Sequence, residues 1–268
     1  MSRNVGPDLT AKPVLSQRRV RLRIKEDFAE ALALVGGAVV WELSGRLLGL
    51  SWFPPFSRII MAATELIASG VIIGNLLVSL QTLVIGFGAA VVGGILIGLL
   101  MARYRLVEHA LDMYVNAMLF APSIIFAPLF FAIWGLSDLS RIAVVVKYSL
   151  FIIVVNTFTA IRTVDPALVE MAKSFGARRS QLFFRILLPA SLPLVFAGLR
   201  LGMGRAVFGM INGEMFIAYV GLGALAAKYG GQFDATKVFA VSLVILCVAL
   251  IAGSLMQAAE RKFTYWAN

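Results

Sequence analysis

The chain has 268 residues, of which 60% are hydrophobic and 14% charged, and its formal net charge is +10. Soluble domains carry about 25% charged residues, so this composition predicts an integral membrane protein with one domain of packed helices. The basic residues flank apolar runs and do not alternate with aromatics on a polar face, which argues against a nucleic-acid-binding protein. The single cysteine, Cys247, excludes a disulfide framework and a cysteine-rich metal cluster.

Hydropathy along the chain predicts an all-α membrane protein with about six transmembrane helices. Residues 1–27 are polar and basic and are expected to lie in the cytoplasm, as is the tail, residues 263–268. Each predicted span is long enough to cross about 30 Å of hydrocarbon at about 1.5 Å per residue. Together they form a transmembrane domain over residues 28–262, with spans near 28–50, 75–101, 113–136, 142–161, 191–220 and 237–259.

The first two spans carry local packing signals. Glu42 and Arg46 are four residues apart, so they share one helix face and are expected to form an ion pair. The aromatic, proline-containing segment 51–74 suits an interfacial helix on the outer side. Gly94 and Gly98 leave one face of the second span without side chains, which predicts a close approach by a neighbouring helix.

The third span contains Pro122 and Pro128, each of which removes a backbone hydrogen-bond donor. The helix is therefore expected to be bent or broken. A broken membrane helix lines a cavity in some transporters, whereas a packing kink is an equally good explanation. In the fourth span, Lys147 lies a turn and a half from the outer end and is expected to extend outward to the interface.

The fifth span holds four polar side chains at depths where charge is expensive, Arg200, Arg205, Asn212 and Glu214. Arg200 and Glu214 are separated by about 21 Å along a straight helix, and Arg205 and Glu214 by about 13.5 Å, so neither pair can form within the helix. Each charge needs a partner elsewhere. These residues either line a translocation pathway for an anion or make structural ion pairs, and the sequence leaves both interpretations open.

The distribution of basic residues predicts the orientation. Sixteen lysines and arginines fall in the amino-terminal segment, the 103–105 connector, residues 162–189 and residues 261–262, whereas only four fall on the opposite side. Since basic residues concentrate in the cytoplasm, both termini and residues 162–189 are expected there.

The cytoplasmic segment 162–189 begins with a well-marked short helix. Asp165 can cap its first amides, Pro166 suits the first helical position, and Gly176 can end it in a left-handed conformation. Between them one face is apolar, and its members are Leu168, Met171, Ala172 and Phe175. This stripe either packs on the ends of the chain's own helices or fills a groove on a cytoplasmic partner, and spacing does not distinguish the two.

The same segment resembles the EAA loop of ABC-importer membrane subunits. The residues that carry the resemblance are Glu170, Ala172, Gly176, Ile186, Leu188 and Pro189. Met171 departs from the motif, which has alanine there. Further matches over residues 50–260 resemble the nitrate, sulfonate and taurine branch of that family, and they are Phe53-Pro54-Pro55, Ser79-Leu80, Gly86-Phe87, Ala127-Pro128-Leu129, Trp134-Gly135 and Gly221-Leu222-Gly223.

The resemblance implies a type I ABC importer permease in a bacterial inner membrane. It implies two permease copies, a cytoplasmic ATPase dimer that binds ATP and Mg, and an extracytoplasmic solute-binding protein. The solute would be small and anionic, of the sulfonate, taurine or nitrate class. Coupling to the ATPase would involve Leu168, Glu170, Met171, Ala172, Phe175 and Gly176, with the loop shaped by Asp165, Pro166, Ile186, Leu188 and Pro189.

The sequence carries no signature of an enzyme. It lacks the G-x-x-x-x-G-K-[ST] phosphate loop, so ATP hydrolysis is expected in a partner subunit. The single histidine, His109, is accompanied neither by a recognisable nucleophile and base nor by residues at metal-ligand spacing. The alternative function is an ion-gradient-driven secondary carrier that works without an ATPase.

Overall fold

The computed structural model of the chain describes residues 32–33, 35–217 and 219–264, and all regular secondary structure within them is helical. The expectations for residues 1–27, for the start of the first span and for the last four residues lie outside these ranges. Contacts divide the chain into two units, residues 1–61 and residues 62–268.

In the first unit, residues 35–48 form helix α1, inside the predicted span 28–50. The predicted ion pair is confirmed, with Arg46 Nε 2.5 Å from Glu42 Oε1. Glu42 also accepts hydrogen bonds from Ser57 N and Ser57 Oγ, both at 2.8 Å. Trp41 stacks on Phe53 with ring centroids 5.3 Å apart. The proline-containing segment after α1 is therefore fixed back against this helix.

Ten further helices follow α1 in the described residues. They are α2 (Phe56–Ala68), α3 (Val71–Arg103), α4 (Arg105–Phe120), α5 (Phe126–Trp134), α6 (Asp138–Arg162), α7 (Pro166–Ser174), α8 (Arg179–Leu182), α9 (Leu188–Ile217), α10 (Leu222–Gly231) and α11 (Ala235–Phe263). A 3-10 turn, Ser123–Ile125, precedes α5, and a π-helical turn, Phe183–Leu187, joins α8 to α9.

Four helical stretches in the described residues are long and apolar enough to cross a membrane, and they are Val71–Arg103, Asp138–Arg162, Arg179–Phe216 and Ala235–Phe263. A fifth crossing is formed if α4 and the segment Ser123–Trp134 are taken as one span bent by 90°. The first predicted span, 28–50, is only partly described. Three of the four stretches extend beyond both predicted ends, since 71–103 replaces 75–101, 138–162 replaces 142–161 and 235–263 replaces 237–259. Ser137 accepts a hydrogen bond from Ser140 N, and this polar cap starts α6 at Asp138 instead of the predicted residue 142.

The break predicted in the third span is confirmed at Pro122. Helix α4 ends at Phe120, and Ala121 adopts an extended conformation with ψ 131°. Because proline has no amide hydrogen, Pro122 cannot donate to Met118 O four residues earlier. Pro128 lies in the first turn of α5, where an amide has no helical acceptor, and it causes no break.

Helix α6 packs against both α3 and α9, and these three helices form the centre of the second unit. The close approach predicted at Gly94 and Gly98 is confirmed on the α3–α6 contact. A Cβ added to Gly94 would lie 2.7 Å from Ile153 Cγ2, and one added to Gly98 would lie 2.8 Å from Val154 O. Side chains larger than hydrogen therefore do not fit at this contact.

We expect Gly98→Ala to lower thermal stability and Gly88→Ala to preserve it. The first places a methyl group against the backbone of α6, and overpacking of this kind costs about 1–3 kcal/mol. In the second, no described atom lies within 4 Å of the added Cβ, and alanine favours a helix by up to about 1 kcal/mol. Thermal unfolding of the two purified variants measures the difference, and equal midpoints would contradict the close α3–α6 contact.

Candidate functional site

Helix α7 starts and ends at the residues expected from the sequence. Asp165 Oδ1 accepts a hydrogen bond of 2.8 Å from Ala167 N, and Pro166 is the first helical residue. Gly176 has φ +76°, and its amide donates to Lys173 O at 2.9 Å. These local bonds satisfy the groups that a helix end leaves unpaired, so the nine-residue helix is defined at both ends.

Most of the apolar stripe on α7 is uncovered in the described structure. Ala172 is buried, whereas Leu168 and Met171 are exposed and Phe175 is 87% exposed. Within the described residues, packing on the chain's own helices therefore buries only Ala172 of this stripe. We call Leu168, Met171 and Phe175 the coupling face, after the coupling role that the EAA-loop resemblance implies for them. Glu170 is exposed beside it.

The second half of the predicted loop is helical. Ile186 lies in the π-helical turn, and Leu188 and Pro189 begin α9, all three of them half-buried. Leu188 N donates to Phe183 O, five residues earlier, and the widened turn precedes the proline that interrupts the regular bonding pattern. The guanidinium carbon of Arg103 lies 5.0 Å from the ring centre of Phe183, which connects this turn to the end of α3.

The polar residues of the fifth span have different surroundings. Arg200 Nη1 lies 3.3 Å from Glu260 Oε2 on α11, so Arg200 has the partner on another helix that the spacing required. Arg205 is exposed and belongs to none of the ion pairs of the described residues. Asn212 Nδ2 donates to Phe208 O of its own helix at 2.8 Å. A contact of these residues with solute stays a prediction.

Glu214 is fully buried at the end of α9 and fixes the start of α10. Its Oε2 accepts hydrogen bonds of 2.9 Å from Ser79 Oγ and from Gly223 N. Ser79 Oγ in turn accepts from Leu222 N at 2.9 Å. One turn earlier on α3, Asn75 Oδ1 accepts from the amide of Gly221 at 2.9 Å.

These contacts make Glu214 a structural brace between α3, α9 and α10. Ser79 and Asn75 were not predicted as the hydrogen-bond partners of Glu214 and Gly221. Their spacing of four residues on one face of an apolar helix was the available signal, because buried polar groups in a membrane require hydrogen-bond partners.

Lys147 does not extend to the interface, so that expectation is wrong. The side chain is 7% exposed, and its Nζ donates to Met118 O at 2.8 Å and approaches Ser123 Oγ at 3.3 Å. Both acceptors flank the α4–α5 break. Met118 O is the carbonyl that Pro122 leaves without a donor, and Lys147 supplies the missing hydrogen bond. The signal for this contact was a proline inside one span, which leaves the carbonyl four residues earlier without a donor, together with a single lysine in the next span.

Comparison with known proteins identifies the family. A family model described as binding-protein-dependent transport system inner membrane component matches residues 94–265. The formylaminopyrimidine transport permease protein ThiX of Halalkalibacterium halodurans is 31% identical over 228 residues, 85% of this chain and 91% of ThiX. The putative aliphatic sulfonates transport permease protein SsuC of Bacillus subtilis is 30% identical over 232 residues, 85% of this chain and 84% of SsuC.

Solved structures show the same fold. An inward-facing structure of the MetNI methionine ABC transporter superposes with a TM-score of 0.61 at 19% sequence identity, over 70% of this chain and 93% of that one. The chain thus has the type I importer permease fold, and the resemblance found in its EAA loop is confirmed. The alternative of a secondary carrier without an ATPase is excluded by the family. The chain belongs to the binding-protein-dependent inner membrane components, and it is the membrane-spanning permease subunit of an ATP-driven ABC importer whose ATPase and solute-binding protein are separate subunits.

Proposed function

We propose that two copies of this chain enclose the translocation pathway of an importer for a small anionic solute. Each copy binds one cytoplasmic ATPase subunit through the coupling face on α7, and that ATPase dimer holds the ATP and Mg. The chain spans a bacterial inner membrane, with both termini on the cytoplasmic side and the solute-binding protein on the outer side.

The exposed coupling face is the observation that carries the assignment of α7. A helix of nine residues is marginal by itself, and here three large apolar side chains of its stripe remain uncovered. Apolar side chains of this kind anchor a short helix in a groove of a partner protein. The concentration of basic residues supports placing this helix on the cytoplasmic side, where the ATPase is found.

Coupling then follows from the geometry of α7. The helix is capped at both ends and connects to the continuous helix 179–216, so a displacement of α7 is transmitted to the start of a transmembrane helix. ATP binding closes the ATPase dimer, brings the two α7 helices together and opens the pathway outward, and hydrolysis reverses the movement.

The anionic solute class has two supports. A relative at 30% identity is named as an aliphatic sulfonate permease. In addition, this chain has cationic side chains at Lys147 and Arg205 inside its spans that belong to none of the ion pairs of the described residues, and an anion that enters a medium of low polarity requires compensating positive charge.

Phe175→Asp is expected to abolish stable binding of the ATPase. The substitution places a carboxylate where the apolar groove of the partner would close over the ring, and loss of such an anchor weakens an interface by about tenfold or more. Co-purification of the ATPase with tagged permease measures the effect.

Phe233→Asp is the matched control for the coupling face. Phe233 is an aromatic with 93% exposure in the loop before α11, on the predicted outer side, and its replacement is expected to leave co-purification unchanged. Undiminished ATPase binding and solute-stimulated hydrolysis in Phe175→Asp would show that α7 is not the coupling element.

A further inference from the structure

We propose that Lys147 and the cavity beside the α4–α5 break bind the transported solute, with the ammonium group holding an anionic head and the cavity holding an apolar body. The inference rests on the proposed import of an anion, to which it adds a location and a more specific solute class: an organic sulfonate or carboxylate with an aliphatic or aromatic body.

The first argument is the charge of Lys147. Its Nζ has two neutral oxygen neighbours, Met118 O and Ser123 Oγ, and lies 4.6 Å from the ring centre of Phe126 and 5.3 Å from that of Phe151. Oxygen dipoles and ring faces stabilise a cation without neutralising it. The contacts of Nζ are therefore with neutral groups, and none of them is a carboxylate.

Lys147 differs from two arginines of the described spans that have carboxylate partners, whereas Arg205, which also lacks one, is exposed. Arg141, which is also buried, pairs with Asp138, and Arg200 pairs with Glu260. The ion pairs of the described residues do not include Lys147. Because a buried charge is unfavourable unless it is paired, an anion that enters next to Lys147 gains more there than beside either arginine.

The second argument is that the structural task of Lys147 requires no charge. Pro122 deprives Met118 O of one hydrogen-bond donor, and a neutral amide of similar length can replace that donor. The ammonium group has three hydrogens, of which the Met118 and Ser123 oxygens take two. One hydrogen and the charge remain for a ligand.

The third argument is the shape and lining of the cavity. Its volume is about 530 Å³, within the range of sites for small organic molecules. The other lining side chains are apolar, and four of them are aromatic: Phe126, Phe130, Trp134 and Phe151. One cation among apolar walls suits an anion with an organic body. A small inorganic anion requires several hydrogen-bond donors around it, and the lining offers one charged group.

The test measures binding of naphthalene-2-sulfonate to the permease–ATPase complex in phosphatidylcholine nanodiscs by equilibrium dialysis. Wild-type complex is expected to bind the sulfonate saturably, with one site per permease chain. The uncharged naphthalene-2-sulfonamide has the same ring system and is expected to bind about tenfold more weakly or worse, because a charge-assisted hydrogen bond is lost.

Variants of Lys147 separate charge from structure. Lys147→Gln retains a donor for Met118 O, and we expect it to weaken sulfonate binding by about tenfold or more while leaving sulfonamide binding unchanged. Lys147→Arg retains the charge and is expected to remain within about threefold of wild type. Lys228→Gln, at an exposed lysine of α10, is the matched control and is expected to bind like wild type. The thermal unfolding midpoint of each variant, compared with wild type, shows whether the substitution has destabilised the fold.

Three outcomes overturn the proposal. Equal sulfonate affinity in wild type and a stably folded Lys147→Gln shows that the charge does not contact the probe. Equal affinities for the sulfonate and the sulfonamide show an apolar site without anion recognition. A lipid phosphate shares the anionic chemistry, so phosphatidylglycerol is titrated into the nanodiscs. Retention of this lipid through Lys147, without competition by the sulfonate, shows that the site belongs to a lipid. None of these results bears on the role of α7 in ATPase binding, which the Phe175→Asp experiment tests independently.

Discussion

Gly221→Ala is expected to prevent stable folding at the end of α9 and the start of α10. Gly221 has φ +99° and ψ 170°, a backbone region that is occupied almost only by glycine. A Cβ added there would lie 2.5 Å from both carboxylate oxygens of Glu214. That carboxylate cannot move aside easily, because it is fully buried and bonded to Ser79 and Gly223.

Two other glycines separate the contributions to this effect. Gly135 has a similar backbone, with φ 67° and ψ −168°, but no described atom lies within 4 Å of an added Cβ. Gly135→Ala therefore reports the backbone strain alone, about 1–3 kcal/mol. Gly74, inside α3, has neither strain nor a nearby described atom, and Gly74→Ala is expected to be close to neutral.

Thermal unfolding of the three purified variants tests this order. Gly221→Ala should be the least stable, followed by Gly135→Ala, with Gly74→Ala near wild type. If Gly221→Ala is as stable as Gly135→Ala, the contact with Glu214 is not rigid, and the assignment of Glu214 as a brace is wrong.

The parts of the fold that depend on neighbouring residues were predictable from the sequence. The short helix α7 is an example, because Asp165, Pro166 and Gly176 define its ends through bonds that span only a few residues. The break at Pro122 is another, since the missing amide is a property of proline itself. The long apolar stretches likewise became helices, and polar caps at Ser137 and Asp234 set the starts of α6 and α11.

Contacts between distant segments were not predictable in the same way. Glu214 and Ser79 are 135 positions apart, and hydropathy does not show that their helices meet. Lys147 was expected to reach the interface because its depth in the span permits this. Its Nζ instead donates to a carbonyl of a neighbouring helix, Met118 O. Local patterns identify which groups need partners, whereas the packing of α3, α6 and α9 decides which partner each group finds.

The coupling face illustrates the same division. The spacing of Leu168, Met171, Ala172 and Phe175 predicted a common face, but not whether the chain itself covers it. The structure covers Ala172 and leaves the other three exposed. Exposure of large apolar side chains outside the membrane spans is what favours a partner protein over internal packing.

Glu214→Ala is expected to destabilise the protein strongly, whereas Glu214→Gln is expected to preserve both folding and transport. Alanine removes the acceptor of Ser79 Oγ and Gly223 N and leaves buried donors unpaired, at about 1–3 kcal/mol for each. Glutamine retains a carbonyl oxygen for the same two donors. Its amide nitrogen takes the place of Oε1, which accepts no hydrogen bond from the described residues, so the variant replaces one unpaired buried polar atom by another and loses less stability than Glu214→Ala.

Thermal unfolding and solute uptake in reconstituted vesicles, measured together, distinguish a brace from a pathway residue. A brace requires an acceptor but no charge, so Glu214→Gln should transport at near the wild-type rate, and Ser79→Ala should lose stability because its hydroxyl makes two bonds in this network. A pathway residue would show the reverse, a stable Glu214→Gln protein without transport. We expect the first pattern, because a carboxylate with no exposed surface can meet a solute only after the contacts with α3 and α10 have opened.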